Sequence, residues 1–168
     1  QKPQDYIDKL SRDYHINALQ YYDWQYRHEQ PVATGDLENE WPLWYRNNYA
    51  SKKTITDYIK DAKNANMGSL AYSMAYAAND NYDTNTIKDD WRLREDNGSY
   101  WVRDLGEQWW VPTPKGVDKP KSHQFMMNVN NEDWRTYITG QYATQKTTFK
   151  FDGTHIDTLG QTSKKDAA

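Results

Sequence analysis

Apolar residues recur at helical spacing in three stretches. Residues 3–14 carry Tyr6, Ile7, Leu10 and Tyr14, with Pro3 suited to a first turn. Residues 53–65 place Ile55, Tyr58, Ile59 and Ala62 on one face. Glu132 to Gln145 does the same with Trp134, Tyr137, Ile138 and Tyr142. Four segments read as strands instead: 15–24, Gly68 to Ala78, Ser122 to Asn128, and Phe149 to Leu159. Residues 30–52 read as a loop with an aromatic patch at Trp41, Trp44 and Tyr45. Residues 79–120 are polar, with Pro112, Pro114 and Pro120, and form a long insertion between the second and third strands. Within it, Tyr100 to Val102 and Trp109 to Val111 suggest a short hairpin near Gly106. The tail from Gln161 is polar and expected to fray.

This alternation predicts a parallel α/β sheet with right-handed crossovers. No glycine-rich phosphate loop follows any strand, which counts against a nucleotide-binding doubly wound fold. The competing form is the (β/α)8 TIM-barrel, which needs about 250 residues. If the chain is a barrel, four strands in 168 residues make it the first half of one. Residue 1 is Gln rather than Met, so the chain is expected to be a processed or excised piece.

Composition changes the picture in one respect. Leu, Ile, Val and Phe number only 23 of 168, while Trp 8 and Tyr 14 supply the bulk. Such rings bury large areas and keep a polar handle. The set suits a protein that binds flat, polar rings such as sugars, with an aromatic core as the alternative. The net charge of -3 builds no broad cationic field, so no nucleic acid partner is expected. No apolar run approaches a membrane span. The absence of Cys excludes disulfides and a Cys nucleophile.

Polar clusters fall at the carboxyl ends of the predicted strands, where parallel barrels assemble active sites. The first strand runs out in Asp23, Trp24, Arg27, His28 and Glu29; the second carries Tyr72 and Tyr76; the third ends at Asn128; the fourth ends in His155 and Asp157. Asp157 lies among apolar neighbours, and a carboxylate there can attack an anomeric carbon or activate water. With His155 it can instead ligate a metal, although no metal-binding spacing supports that and no cofactor is expected. Arg27 and His28 can bind sugar hydroxyls or orient a carboxylate, or Arg27 can pair structurally with Glu29, Asp23 or a distant acid. Asn130 and Asn131 read as caps of the helix that follows.

Four segments carry a family resemblance: Tyr21-Tyr22-Asp23-Trp24-Gln25-Tyr26-Arg27-His28-Glu29, Ala71 to Ala78, Met127-Asn128 with Trp134, and Phe151-Asp152-Gly153-Thr154-His155-Ile156-Asp157-Thr158-Leu159-Gly160. Together they resemble glycoside hydrolase family 66, the bacterial endo-dextranases and cycloisomaltooligosaccharide glucanotransferases. The resemblance implies an extracellular or cell-surface enzyme that cleaves α-1,6-linked glucan with retention. It implies Asp157 as nucleophile, with Asp23, Trp24, Arg27, His28, Tyr72, Tyr76, Asn128 and His155 along the sugar cleft. The family's acid/base Glu has no match among Glu29, Glu38, Glu40, Glu95, Glu107 and Glu132, so it is expected outside this chain, which alone should be inactive. Its partners would be α-1,6-glucan and the rest of the barrel. A non-catalytic carbohydrate-binding module, using Trp41/Trp44 and Trp109/Trp110, is the reading from another class. The helical stretches argue against its usual β-sandwich.

Overall fold

The computed structural model describes residues 3–43, 48–80, 82–107 and 121–157. In chain order the elements are α1 (Pro3–Tyr14), β1 (Ala18–Tyr21), β2 (Glu40–Pro42), β3 (Tyr49–Ser51), α2 (Lys52–Asn64), β4 (Gly68–Met74), β5 (Ala77–Asn79), β6 (Val102–Glu107), β7 (Lys121–Met126), α3 (Glu132–Phe149) and β8 (Gly153–Asp157).

The three helices fall where apolar periodicity places them, and their ends have local causes. Ser51 accepts from the Thr54 amide at the start of α2. At the start of α3 the Asn131 side chain accepts from the Trp134 amide across 3.0 Å, the cap expected of it. α3 runs on past Gln145 because Gln145 and Phe149 still face the interior, and it stops at Lys150, whose φ is 66°. Ile7 of α1 is fully buried against Ala62 and Met67, which fastens the first helix to the second.

β1, β4 and β8 form a three-stranded parallel sheet with β4 in the middle. Its register is pinned at the base. Asp152 Oδ2 accepts from the Ser69 amide at 2.9 Å, while the Asp152 amide donates to Ser69 O, also at 2.9 Å. Gly153 pairs with Leu70, and a Cβ at 153 would stand 3.0 Å from Leu70 Cδ2, a tight contact that the Leu70 side chain would have to yield to.

The segment Ser122 to Asn128 corrects the expected topology. It is not a stave of the parallel sheet. Its strand, β7, lies antiparallel between β5 and β6 in a second sheet. The described residues therefore hold three parallel strands rather than four. Alternation and β-propensity show that a segment is extended, but not which partner it finds. The expected strand Gly68 to Ala78 is likewise split at Ala75 and Tyr76, with β4 in one sheet and β5 in the other. Residues 40–51, read as loop, contain the antiparallel pair β2 and β3. Trp44, Tyr45, Trp109, Trp110 and the tail from Gln161 lie outside the described residues.

The main core is aromatic. Trp24, Trp41, Phe149 and Phe151 meet at centroid distances between 5.0 and 6.5 Å, mostly edge to face. Both indole N–H groups are satisfied by backbone: Trp24 Nε1 donates to Tyr72 O at 3.2 Å and Trp41 Nε1 to Trp24 O at 3.0 Å. A second core under the antiparallel sheet packs Tyr82, Ile87, Met127, Trp134 and Ile138. Among the described residues no helix is long and apolar enough to cross a membrane.

Candidate functional site

Alternation along β4 divides the parallel sheet into two faces. Ser73 turns toward α3, donating from Oγ to Gln145 Oε1 at 3.3 Å. Tyr72 and Met74 therefore point to the other face. In the β4–β8 register Tyr72 stands opposite His155 and Met74 opposite Asp157. Tyr22, just past the end of β1, completes the row. Its ring lies 4.3 Å from that of Tyr72 and is well exposed, while His155 sits 6.4 Å from Tyr72 on the other side.

The Tyr72 hydroxyl donates to Asp157 Oδ2 across 3.0 Å. Burial, and next the hydrogen bonds with Asp157 and Tyr22, hold the Tyr72 phenol well above its usual pKa. It keeps its proton and remains a donor to the carboxylate at every working pH. Asp157 itself is half-buried, at the carboxyl end of an edge strand. One oxygen is thus fixed by Tyr72, and the group stays within reach of a ligand.

His28 approaches Tyr72 from a third side, at 6.5 Å between centroids. Its Nδ1 lies 3.1 Å from Gln25 Nε2, so Nδ1 is the acceptor and Nε2 carries the ring proton. Burial pushes its pKa down to about 3, with Arg27 acting in the same direction and Asp157 opposing. The imidazole is neutral at physiological pH.

The turn that carries His28 is tied to the end of β5 by reciprocal bonds. The His28 amide donates to Asn79 Oδ1 at 2.7 Å, and the Asn79 amide donates to Glu29 Oε2 at 2.8 Å. Arg27 Nε pairs with Glu29 Oε1, and Arg27 Nη2 donates to Asp80 O. Glu29 is almost fully buried, with a side-chain exposure of 3%. Arg27 is therefore committed to this clamp, the structural pairing weighed from the sequence.

The other expected site residues lie as follows. Asp23 lies in the turn two residues past β1 with φ at 51°, a left-handed conformation that non-glycine residues seldom adopt outside turns and functional sites. Trp24 is 5% exposed and Tyr76 8%; both belong to the main core, which leaves no open ring face for a sugar. Asn128 accepts from the Asn130 amide at 2.9 Å through its side chain, forming the turn before α3. The structure thus gathers Tyr72, His28, His155 and Asp157, and it distributes Trp24, Arg27, Tyr76 and Asn128 among core and turn contacts. Reading the sequence overlooked Tyr22, Gln25 and Asn79. Tyr22 had a usable signal, since it is the next position after β1 in line with Tyr72. Among the described residues no three His, Asp or Glu side chains are grouped to hold a metal ion.

A cycloisomaltooligosaccharide glucanotransferase of Niallia circulans is 32% identical over 161 residues, covering 94% of this chain and 15% of the relative. A second glucanotransferase from the same organism is 30% identical over 157 residues. The chain thus spans about 15% of the length of these curated relatives. The crystal structure of a Paenibacillus sp. cycloisomaltooligosaccharide glucanotransferase, complexed with cycloisomaltoheptaose, superposes with a TM-score of 0.79 at 29% identity. It covers 96% of this chain and 22% of that one. A maltogenic α-amylase of Thermotoga neapolitana superposes with a TM-score of 0.58 at 18% identity, a likeness of fold alone. The family profile of glycosyl hydrolase family 66 matches residues 1–168, and the chain belongs to that family.

Proposed function

We propose that this chain supplies the nucleophile half of a retaining active site that cleaves α-1,6-linked glucan. The observation that carries the reading is the Asp157 carboxylate, held by Tyr72 at the carboxyl end of a parallel strand. In this reading β1, β4 and β8 are the first three staves of a (β/α)8 barrel. Both edges of the sheet, β1 and β8, then pair with later strands.

With Tyr72 bonded to Oδ2, Oδ1 of Asp157 is the oxygen presented to the anomeric carbon. Attack forms the C1–Oδ1 ester and breaks the bond from C1 to the glycosidic oxygen. The departing oxygen takes a proton from a second carboxyl group, which retaining enzymes hold about 5–5.5 Å from the nucleophile. Glu29 is engaged by Arg27 and Asn79, and Glu38, Glu40, Glu95, Glu107 and Glu132 are exposed. The family resemblance implies that this acid is a Glu on a later strand, outside these residues. In the second step the same carboxyl, now a carboxylate, takes the proton of the acceptor, whose oxygen displaces Asp157. Tyr72 stabilises the carboxylate again as it leaves. His155, exposed beside Tyr72, meets the hydroxyls of the bound sugar, buried His28 backs the Tyr72 ring, and Tyr22 offers its exposed ring.

The acceptor distinguishes two activities. Water makes the enzyme an endo-dextranase. A sugar hydroxyl of the same chain makes it a cyclising glucanotransferase, which the names of both relatives favour. Incubation of the full polypeptide with dextran, followed by mass analysis of the products, separates them. Cyclic products are 18 Da lighter than their linear counterparts, since no water is incorporated. Absence of any turnover of α-1,6-glucan would overturn the proposal.

A further inference from the structure

A cavity of about 580 Å³ lies away from Asp157, between the turn after β1 and the flank of α3. That volume is within the ~300–1,000 Å³ usual for small-ligand sites. Its walls include Tyr26, Arg27, Glu29 and Gln30 from the turn and Tyr137 and Gln141 from α3. None of Tyr22, Tyr72, His155 or Asp157 contributes to it.

Three features define what it can hold. First, its walls are fixed before any ligand arrives. The Tyr26 amide donates to Pro31 O at 3.0 Å and the Arg27 amide to Gln30 O at 3.2 Å, closing the turn. The Arg27–Glu29 clamp ties that turn to β5, and the Tyr137 ring is stacked on Trp134 at 5.8 Å. Fixed walls lower the ordering cost of binding. Second, the charge is wrong for an anion. Arg27 is already paired with Glu29, and Asp83 adds a further carboxylate to the lining. Third, the remaining surface alternates tyrosine rings with amide and hydroxyl groups. Burial, and next the charges of Glu29 and Asp83, push the Tyr137 phenol up to about 12, so it stays protonated beside these acids. Rings for C–H faces, carboxylates and amide oxygens to accept from hydroxyls, and amide N–H groups to donate to ring oxygens describe a neutral polyhydroxylated ligand.

We infer that this cavity is a second saccharide site, separate from the cleft, which holds a stretch of the same glucan chain. The identity of the saccharide rests on the function proposed above. A second hold on a long chain raises its effective concentration at the cleft without any new contact there. Short oligosaccharides cannot span both sites and gain nothing.

The test uses the full polypeptide and two substitutions outside the cleft. Tyr137→Ala removes the ring. Thr144→Lys places a long side chain at the lining from an exposed position on α3, without disturbing the core. Affinity electrophoresis through dextran gels is expected to show retardation weakened about fivefold or more in both variants. Their kcat/KM on a short isomaltooligosaccharide should match the parent's. Retardation equal to the parent's in Thr144→Lys overturns the inference. If dextran is turned over in that case, the functional reading stands while the second site falls. If dextran is retarded through the cavity but never cleaved, the site stands and the reading falls.

Discussion

The Tyr72 hydroxyl reaches from the middle strand of the parallel sheet to Asp157 Oδ2 on the edge strand, 3.0 Å away. This bond joins two segments that are 85 residues apart in the chain. It gives the carboxylate a fixed orientation, and its donor cannot ionise in competition with it. Hydrogen bonds to charged groups contribute about 1.5–3 kcal/mol. Tyr72→Phe keeps the ring and removes only that donor, so kcat should fall about 10- to 100-fold on this scale. Steady-state kinetics of the variant would measure it. An unchanged kcat would remove Tyr72 from the account.

Trp24 separates packing from catalysis. Its ring touches Trp41, Phe149 and Phe151 and its N–H is bonded to backbone. Trp24→Ala should destabilise the fold by about 3–5 kcal/mol, as large aromatic truncations in cores do. Urea unfolding would measure the loss. A stable variant with a raised KM would instead mean that Trp24 faces sugar.

Glu29 supports the position of His28. Glu29→Ala leaves the Arg27 guanidinium and the Asn79 amide without their buried acceptor, at a cost of about 3–5 kcal/mol. The turn should loosen, and activity at permissive temperature should fall with it. Near-parental stability measured by thermal unfolding would contradict the clamp.

His28 makes stability depend on pH in a definite direction. In the fold its pKa is pushed down to about 3, whereas in the unfolded chain it is about 6.5. Between those values the unfolded chain binds a proton that the native one refuses. The contribution is fully present above pH 6.5 and is lost as pH falls toward 3, by up to about 1.4 kcal/mol per pH unit. Urea midpoints between pH 7 and 4.5 should therefore decline more steeply for the parent than for His28→Gln. Equal slopes would show that the imidazole is not buried neutral.

Much of this was legible in the sequence, for reasons that differ by element. The helices were readable because Ile55, Ile59 and Ala62, or Trp134 and Ile138, bury at a period only a helix produces. The carboxyl end of β8 was readable because Asp157 closes a short extended run, Thr154 to Ile156, rich in β-branched residues. β7 was misplaced because its extended pattern is the same whether it joins a parallel or an antiparallel sheet. Trp24 illustrates the other limit. Ring content cannot tell a sugar-facing indole from a core one, and the backbone acceptors that settle the matter, Tyr72 O for Trp24 and Trp24 O for Trp41, are contacts between distant segments. The clamp was half visible, since Arg27 and Glu29 are neighbours, while Asn79 enters only through folding.

In a retaining reaction Asp157 becomes covalently bonded to the sugar. Trapping the full polypeptide with a fluorinated α-glucosyl donor, then digesting it and sequencing peptides by mass spectrometry, tests this directly. A single glycosylated peptide with the label on Asp157 is expected, and none in Asp157→Asn. Label on another carboxylate, or turnover retained by Asp157→Asn, would contradict it.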